Sequence, residues 1–152
     1  MNFIIINQGH TQLIEQIASA LHQEWAELTP WSDINQIEAR LYLRCRSQTE
    51  SILCAYIDNN GNLLATASTI YQELPEITQA TWWLGEVLTV PSARGKKIGV
   101  RLIERLYQEY RLNTDENLYL YTPDMQILYR RMGWVDVEQR SVNGEFVAVM
   151  KR

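Results

Sequence analysis

A turn rich in basic residues, Arg94-Gly95-Lys96-Lys97-Ile98-Gly99, lies between a predicted strand and a predicted helix. Aligned peptide dipoles place roughly half a positive charge at a helix N-terminus, so each exposed cation there costs about 0.3–1 kcal/mol. The free N–H groups of a first helical turn bind anions, and small residues let a ligand approach the backbone. The turn therefore favours a phosphate-binding site in which Lys96 and Lys97 pair with the ligand, and a basic surface turn is the alternative. Its spacing is neither that of a Walker A loop nor that of a Rossmann fingerprint.

The elements on either side of this turn follow from their apolar patterns. Trp82–Val90 is predicted as a strand that runs directly into the turn. The helix after the turn has one apolar face, made by Leu102, Ile103, Leu106 and Tyr110. Strand, turn and helix together would hold the N–H groups of the turn in a fixed position.

Two further helices are predicted near the N-terminus. A helical period starts at Thr11 and continues to Leu28, with Pro30 as its stop signal. Ser32 is predicted to cap a second helix. The apolar face of that helix consists of Ile34, Ile37, Leu41 and Cys45.

The other apolar runs indicate a sheet that is largely antiparallel. Asp58-Asn59-Asn60-Gly61 and Asn143-Gly144 are typical hairpin turns, and a polar loop at Leu74–Ala80 joins two further strands. Pro123 near a helix start and Gly133 as a C-terminal cap bound a short helix at Gln126–Met132. The predicted strands besides Trp82–Val90 are Phe3–Ile6, Ile52–Ile57, Leu63–Tyr71, Leu118–Tyr121, Trp134–Ser141 and Phe146–Met150. Residues 1–152 are therefore expected to form a single α/β (α+β) domain.

Composition limits the class of function. The chain has 152 residues, 46% of them hydrophobic, and a formal net charge of -4, which argues against a nucleic-acid-binding protein. No apolar run approaches the roughly 20 residues of a membrane span, and Met1–His10 lacks the features of a signal peptide. Cys45 and Cys54 are too few for a disulfide framework or a metal site, so we expect buried thiols, no metal and a cytoplasmic location.

Two stretches resemble motifs of one family, the GNAT superfamily of N-acetyltransferases. The stretch Val87–Gly99 resembles the family's acetyl-CoA-binding motif: Arg or Gln, two residues, Gly, one residue, then Gly or Ala. Leu128–Trp134 is similar to its second motif, an apolar-Tyr pair followed by Gly and an aromatic residue. The order of the predicted elements also matches over essentially the whole chain. The resemblance implies the GNAT fold, a mixed, mostly antiparallel seven-stranded sheet flanked by about four helices.

The resemblance also implies a donor site for acetyl-CoA. The strand backbone would pair with the pantetheine arm, an amide near Leu88 would polarise the thioester, and the turn would hold the pyrophosphate. Lys97 stands where the motif has its first Gly; because helical dihedrals do not require Gly, we expect Lys97 to form the turn and contact a phosphate. The residues implied in binding the donor are Leu88, Thr89, Val90, Arg94, Gly95, Lys96, Lys97, Ile98, Gly99, Val100 and Thr122.

Two residues are candidates for proton transfer. Tyr129 lies where family members place the phenol that protonates the leaving thiolate, with a core aromatic as the alternative. Glu86 is the only acidic residue between Trp82 and Arg94 and is a candidate general base. Alternation places its side chain opposite the face of Val87, although a β-bulge would turn it toward the cleft. A strand-face Glu paired with a Lys or Arg is the alternative, and a base elsewhere or a water molecule would serve equally.

The acceptor is predicted only as a primary amine, either a small molecule or a protein N-terminus or lysine. The overall acidity favours a cationic amine. Candidate aromatic walls of the acceptor site are Trp25, Trp31, Tyr71 and Tyr121. Direct attack by the amine in a ternary complex is the expected reaction. A non-catalytic CoA-binding or sensing domain on the same fold remains the alternative, and the chain is expected to be a monomer or a homodimer.

Overall fold

The structure, a computed structural model, describes residues 1–46 and 50–152. In this part of the chain the order of elements is the predicted one, with two added 3₁₀ turns at Thr29–Trp31 and Pro91–Ala93. The strands are β1 (Asn2–Ile5), β2 (Leu53–Ile57), β3 (Leu63–Tyr71), β4 (Trp82–Thr89), β5 (Leu118–Thr122), β6 (Val135–Val142) and β7 (Glu145–Lys151). The helices are α1 (Thr11–Trp25), α2 (Ile34–Arg44), α3 (Ile98–Arg111) and α4 (Gln126–Arg131).

The strands form one seven-stranded sheet in the order β1-β2-β3-β4-β5-β7-β6. Every neighbouring pair is antiparallel except β4 and β5, which are parallel. The predicted fold class, a mixed and mostly antiparallel sheet flanked by helices, is therefore confirmed.

Helices cover both faces of the sheet because alternate strand residues face opposite ways. On one face, Cys54 and Leu84 pack against Leu102 and Leu106 of α3. On the other face, Leu53 and Ala55 pack against the buried stripes of α1 and α2. We call these the α3 face and the α1/α2 face. No helix among the described residues is long and apolar enough to cross a membrane.

The hairpin turns form as predicted. Asp58 accepts hydrogen bonds from the backbone N–H groups of Asn60 and Asn62, each at 2.9 Å, which closes the turn between β2 and β3. Asn143 and Gly144 have φ angles of 52° and 80°, the paired positive values that a two-residue turn of the primed type requires.

Two predictions at the helix ends were wrong. Helix α1 ends at Trp25, not at Leu28, because a tight turn and the 3₁₀ segment follow before Pro30 can act as a stop. The N-cap of α2 is Asp33, not Ser32. Asp33 has an extended backbone and its carboxylate accepts the N–H of Asn35, whereas the Ser32 hydroxyl donates to the carbonyl of Thr29.

Strands β4 and β5 diverge soon after they begin. They pair at Trp82 with Leu118 and at Trp83 with Tyr119, and no register continues beyond these positions among the described residues. From Leu84 onward, the edge of β4 that faces β5 is therefore open. This gap is the feature that positions the candidate site.

Candidate active site

Glu86 lies at a β-bulge on the open part of β4. Ser68 pairs with Gly85 and Thr66 pairs with Leu88, so Ala67 of β3 stands opposite two residues of β4. Glu86 has a φ of 54°, a left-handed conformation that is rare for a residue other than glycine. The bulge separates Glu86 from Leu84, which packs on the α3 face two residues earlier, and leaves Glu86 on the same face as Leu88 and opposite Val87, where alternation placed it.

The bulge directs Glu86 to the α1/α2 face, where it meets Arg44. The Nε of Arg44, the last residue of α2, donates to Oε1 of Glu86 at 2.6 Å, and the Glu86 side chain is only 2% exposed. Its second oxygen, Oε2, has no hydrogen-bond partner among the described residues. A buried carboxylate oxygen left unpaired is costly, so it is available to a ligand or to water.

A second carboxylate, Glu73, lies close to this pair. The hydroxyl of Tyr121 donates to Oε1 of Glu73 at 3.3 Å. Burial raises the pKa of Glu73, and the nearby charge of Glu86 raises it further, while Arg44 acts in the opposite direction. Burial and the Glu73 carboxylate raise the pKa of Tyr121 to about 12, so its phenol stays protonated. Sequence reasoning had assigned no role to Glu73 or Arg44.

The basic turn presents a row of free amides. Among the described residues, no acceptor takes the backbone N–H groups of residues 95–100. Helix α3 begins at Ile98, and the first N–H with a partner is that of Arg101, which donates to the carbonyl of Lys97. This is the arrangement expected of an anion site at a helix N-terminus.

The expected conformation of Lys97 was wrong. Lys97 is the N-cap of α3 with φ 61° and ψ 20°, which is left-handed and not helical. A left-handed residue lets the chain enter the helix with its amides exposed, and Gly fills such positions without steric cost. The lysine that replaces the motif glycine is therefore held in a conformation that glycine would adopt more easily.

Arg94 and Gly99 fix the turn to its neighbours. Arg94 donates from Nε to the carbonyl of Thr89 and from Nη2 to Glu24 of α1, both at 3.0 Å, so its guanidinium is already paired within the protein. A Cβ at Gly99 would stand 2.8 Å from the Oγ1 of Thr89. A side chain at position 99 would therefore force Thr89 or the first turn of α3 to shift.

The open edge of β4 offers fewer backbone groups than the sequence suggested. The N–H of Val90 donates to the carbonyl of Leu64 at 2.9 Å, so this N–H is part of the sheet. It is therefore not free to bind the pantetheine arm, contrary to what the sequence had suggested. Bonded and non-bonded pairs alternate along an antiparallel ladder, so the N–H of Leu88 also faces β3. By the same alternation, the N–H of Thr89 faces the gap.

Tyr129 is buried between α4 and the α3 face. Its ring packs against Trp134 at 5.6 Å between centroids, and it belongs to the same buried cluster as Ile98 from the basic turn and Ala93 just before that turn. Its hydroxyl has no hydrogen-bond partner among the described residues but is not sealed from solvent. Burial raises the pKa of Tyr129 to about 12, helped by the charge of Asp124, so its phenol is protonated at neutral pH.

Thr122 ends β5 on the other side of the gap. Its side chain is buried, and its Oγ1 accepts the N–H of Met125 at 3.0 Å, which holds the chain where α4 begins. Thr122 thus orients the segment that carries Tyr129. Tyr129 therefore lies on the α3 face of the sheet, and Glu86 lies on the α1/α2 face.

Of the four candidate aromatic walls, Tyr121 lines a cavity beside β5. Trp25 and Trp31 pack against each other at 5.2 Å between centroids, and Tyr71 is 57% exposed. Among the described residues, no cluster of His, Cys, Asp and Glu has the composition to hold a metal ion.

Comparisons with known proteins assign this arrangement to a class. The model of the acetyltransferase (GNAT) family matches residues 13–134, so the chain belongs to that family and is an acetyltransferase, as the two sequence motifs predicted. No curated protein matches the sequence.

Solved structures share the fold at low sequence identity. An aminoglycoside 6'-acetyltransferase of type Ii superposes with a TM-score of 0.79 at 20% identity, covering 100% of this chain and 96% of that one. An aminoglycoside 6'-N-acetyltransferase in complex with coenzyme A gives 0.77 at 17%, with the same coverage. An acyl-CoA N-acyltransferase from Pseudomonas aeruginosa gives 0.72 at 20%, covering 100% and 99%.

Proposed function

We propose that this protein transfers the acetyl group of acetyl-CoA to a primary amine by direct attack in a ternary complex. The observation that carries the proposal is the gap between β4 and β5, which opens beside the free amides of residues 95–100. A thioester arm in that gap would place its pyrophosphate on the amides. The resemblance to a structure solved with coenzyme A supports this choice of donor.

The donor would be held mainly by backbone. The N–H groups of residues 95–100 would bind the pyrophosphate, with Lys96 and Lys97 adding charge. The N–H of Thr89, on the open edge of β4, would pair with the pantetheine arm. Arg94 and Gly99 would act indirectly, since they hold the turn against Glu24 and β4.

Tyr129 is proposed as the general acid. When the amine nitrogen bonds to the acetyl carbon, the carbon–sulfur bond breaks and the departing thiolate needs a proton. The Tyr129 hydroxyl is protonated at neutral pH, has no competing partner among the described residues, and lies on the α3 face of the gap. A phenol in that position can donate its proton to the sulfur.

Glu86 is proposed as the base that accepts the proton of the attacking amine, directly or through one water. Its Oε2 has no partner among the described residues, whereas Oε1 is fixed by Arg44, so the carboxylate is oriented and still has accepting capacity. The pairing with an arginine that was the alternative for Glu86 also exists here. A paired carboxylate can still act as a base through its second oxygen.

A panel of primary amines, with free CoA as the readout, tests the proposal. At least one amine should release CoA from acetyl-CoA in proportion to the enzyme added. Tyr129→Phe should lower turnover by about 10²–10⁴-fold while the affinity for acetyl-CoA stays near that of the parent protein. Tyr107→Phe is the matched control, because Tyr107 also packs its ring against Trp134 but lies on α3.

The two outcomes that oppose the proposal are distinct. If acetyl-CoA binds and no amine releases CoA, the protein is the non-catalytic CoA-binding domain of the same fold. If turnover in Tyr129→Phe stays as high as in Tyr107→Phe, Tyr129 only packs the core.

A further inference from the structure

Three buried polar atoms without a partner lie on the α1/α2 face of β3 and β4. Among the described residues, five buried side-chain nitrogen or oxygen atoms have no hydrogen-bond partner, and three of them are Oγ of Ser68, Nε1 of Trp83 and Oε2 of Glu86. Ala67 and Leu84 pack on the α3 face, so their neighbours Ser68 and Trp83 face the other way. The unpartnered atoms are therefore concentrated in one part of the sheet.

Ser68 and Glu86 occupy neighbouring positions of paired strands. Ser68 pairs with Gly85, and Glu86 follows Gly85 directly in the bulge. Side chains on one face of adjacent strands have Cβ atoms roughly 5–8 Å apart when they are opposite or diagonal neighbours. A hydroxyl and a carboxylate at such a separation can be joined by one water molecule.

The two atoms have complementary chemistry. Arg44 donates to Oε1 of Glu86, but a guanidinium has no acceptor and cannot receive a hydrogen bond from a protonated carboxyl group. The hydroxyl of Ser68 can both donate and accept, so it can serve Oε2 before and after the proton of the amine arrives. A buried hydroxyl without a partner also lowers stability, and alanine would fill a similar volume without that cost. Packing alone therefore does not favour a serine at this position.

We propose that Ser68 is a positioning residue for Glu86, and that its hydroxyl holds one water molecule against Oε2 of Glu86. The inference rests on the proposed function, in which Oε2 accepts the proton of the attacking amine. The water donates to Oε2 while the carboxylate is ionised. Room for this water comes from Ile70, because its Cδ1 lies 2.6 Å from the point where a Cβ at Gly85 would stand. The end of such a side chain can turn into another rotamer at little cost.

The charged groups that face Glu86 stay in place when Ser68 is altered. They are Arg44 of α2 and Glu73 of the segment after β3, and Arg40 of α2 acts on Glu73. Ser68→Ala removes only the hydroxyl, and a carboxylate that loses a hydrogen bond to its ionised form takes up a proton at higher pH. The acidic limb of the profile of kcat/KM against pH should therefore move to higher pH by about half to one unit, the net value of one hydrogen bond.

The first test measures this limb by CoA release. Thr66→Val is the matched control, because Thr66 is also buried on β3, two residues before Ser68, but its hydroxyl donates to the carbonyl of Cys54 at 3.1 Å. Thr66→Val should lower stability and leave the acidic limb in place. In a Glu86→Gln background, Ser68→Ala should not change the profile further, since Ser68 acts through Glu86. An equal shift in Thr66→Val, or a further shift without Glu86, would overturn the inference.

A second test does not need acetyl transfer. NMR of isotope-labelled glutamate carboxyl carbons follows the protonation of Glu86, whose signal is assigned by its loss in Glu86→Gln. The midpoint of this titration should rise in Ser68→Ala by the same half to one pH unit. An unmoved midpoint would overturn the role of Ser68 and leave the acetyltransferase intact. A midpoint that moves in a protein that releases CoA with no amine would oppose the proposed function and support the contact between Ser68 and Glu86.

Discussion

Replacing Lys97 by glycine should stabilise the protein, although it removes a residue proposed to bind the donor. Lys97 is exposed and left-handed, with φ 61° and ψ 20°, directly before the first residue of α3. The substitution restores the residue that the family's motif has at this position. It changes both the backbone strain and the charge at the helix N-terminus, and the two effects have the same sign for stability.

The magnitude follows from these two contributions. A left-handed conformation destabilises a residue with a Cβ by roughly 1–2 kcal/mol, and glycine removes this strain. Glycine also lowers the free energy of unfolding by about 0.5–1 kcal/mol, because it gives the unfolded chain more conformational freedom. Removing a cation from the positive end of the dipole adds about 0.3–1 kcal/mol. Lys97→Gly should therefore raise the free energy of unfolding by about 1–2 kcal/mol, at roughly 2–4 °C of Tm for each kcal/mol in a chain of this size.

Alanine variants separate strain from charge. Lys97→Ala removes the same charge and keeps the strain, so Lys97→Gly should be more stable than Lys97→Ala by about 0.5–1 kcal/mol. Lys96 is the matched control, because it is an adjacent lysine without a positive φ. At Lys96 the order should reverse, with alanine more stable than glycine by about 0.5–1 kcal/mol. Denaturant unfolding of the four variants without acetyl-CoA measures both differences.

The opposite order of the glycine and alanine stabilities at positions 96 and 97 is the test of this reasoning. If Lys97→Ala is as stable as Lys97→Gly, the left-handed conformation carries no strain and the account of this turn is wrong. If glycine is more stable than alanine at both positions, the preference does not come from the φ angle of Lys97, because Lys96 has no positive φ.

Two further predictions concern the base and the thiols. Glu86→Gln can still accept a hydrogen bond from Arg44, and it should lower turnover at neutral pH and flatten the acidic limb of the pH–rate profile. Turnover should recover partly at high pH, where more of the amine is neutral. An unchanged profile would mean that solvent or another carboxylate accepts the proton of the amine. Burial raises the pKa of Cys45 to about 11 and that of Cys54 to about 12, from 9.0, so labelling of Cys45 by a thiol reagent at pH 8 should be about a hundredfold slower in the folded than in the unfolded protein.

Features encoded within a few residues could be predicted from the sequence. The turns at Asp58–Gly61 and Asn143–Gly144 depend on side chains and φ angles inside the turn itself. The amphipathic face of α3 was equally evident, because its buried residues recur at helical spacing. The strand–turn–helix arrangement around Arg94–Gly99 followed from these local signals. The resemblance to the family's two motifs supplied the expected fold and the expected acetyl-CoA site.

The side-chain pairings around Glu86 could not be predicted in this way. Arg44 and Glu86 lie 42 residues apart, and Glu73 and Tyr121 lie 48 apart. Neither pair has a local spacing, since each is created when the elements pack. The left-handed conformation of Lys97 was missed for another reason: a lysine carries no preference for positive φ, so only the motif glycine that it replaces was a signal.

Backbone strain distinguishes Glu86 from an ordinary strand-face carboxylate. Gln72 and Asn143 are also non-glycine residues with positive φ, but both lie in turns, where such conformations are common. Glu86 lies within a strand, and an ion pair with Arg44 does not by itself require a bulge, because a regular alternating position can also carry one. Holding a left-handed residue costs of the order of 1–3 kcal/mol, and such strain concentrates at functional sites. The bulge gives the carboxylate what pairing alone does not: a buried position beside the open edge of β4 with one oxygen still unpaired among the described residues.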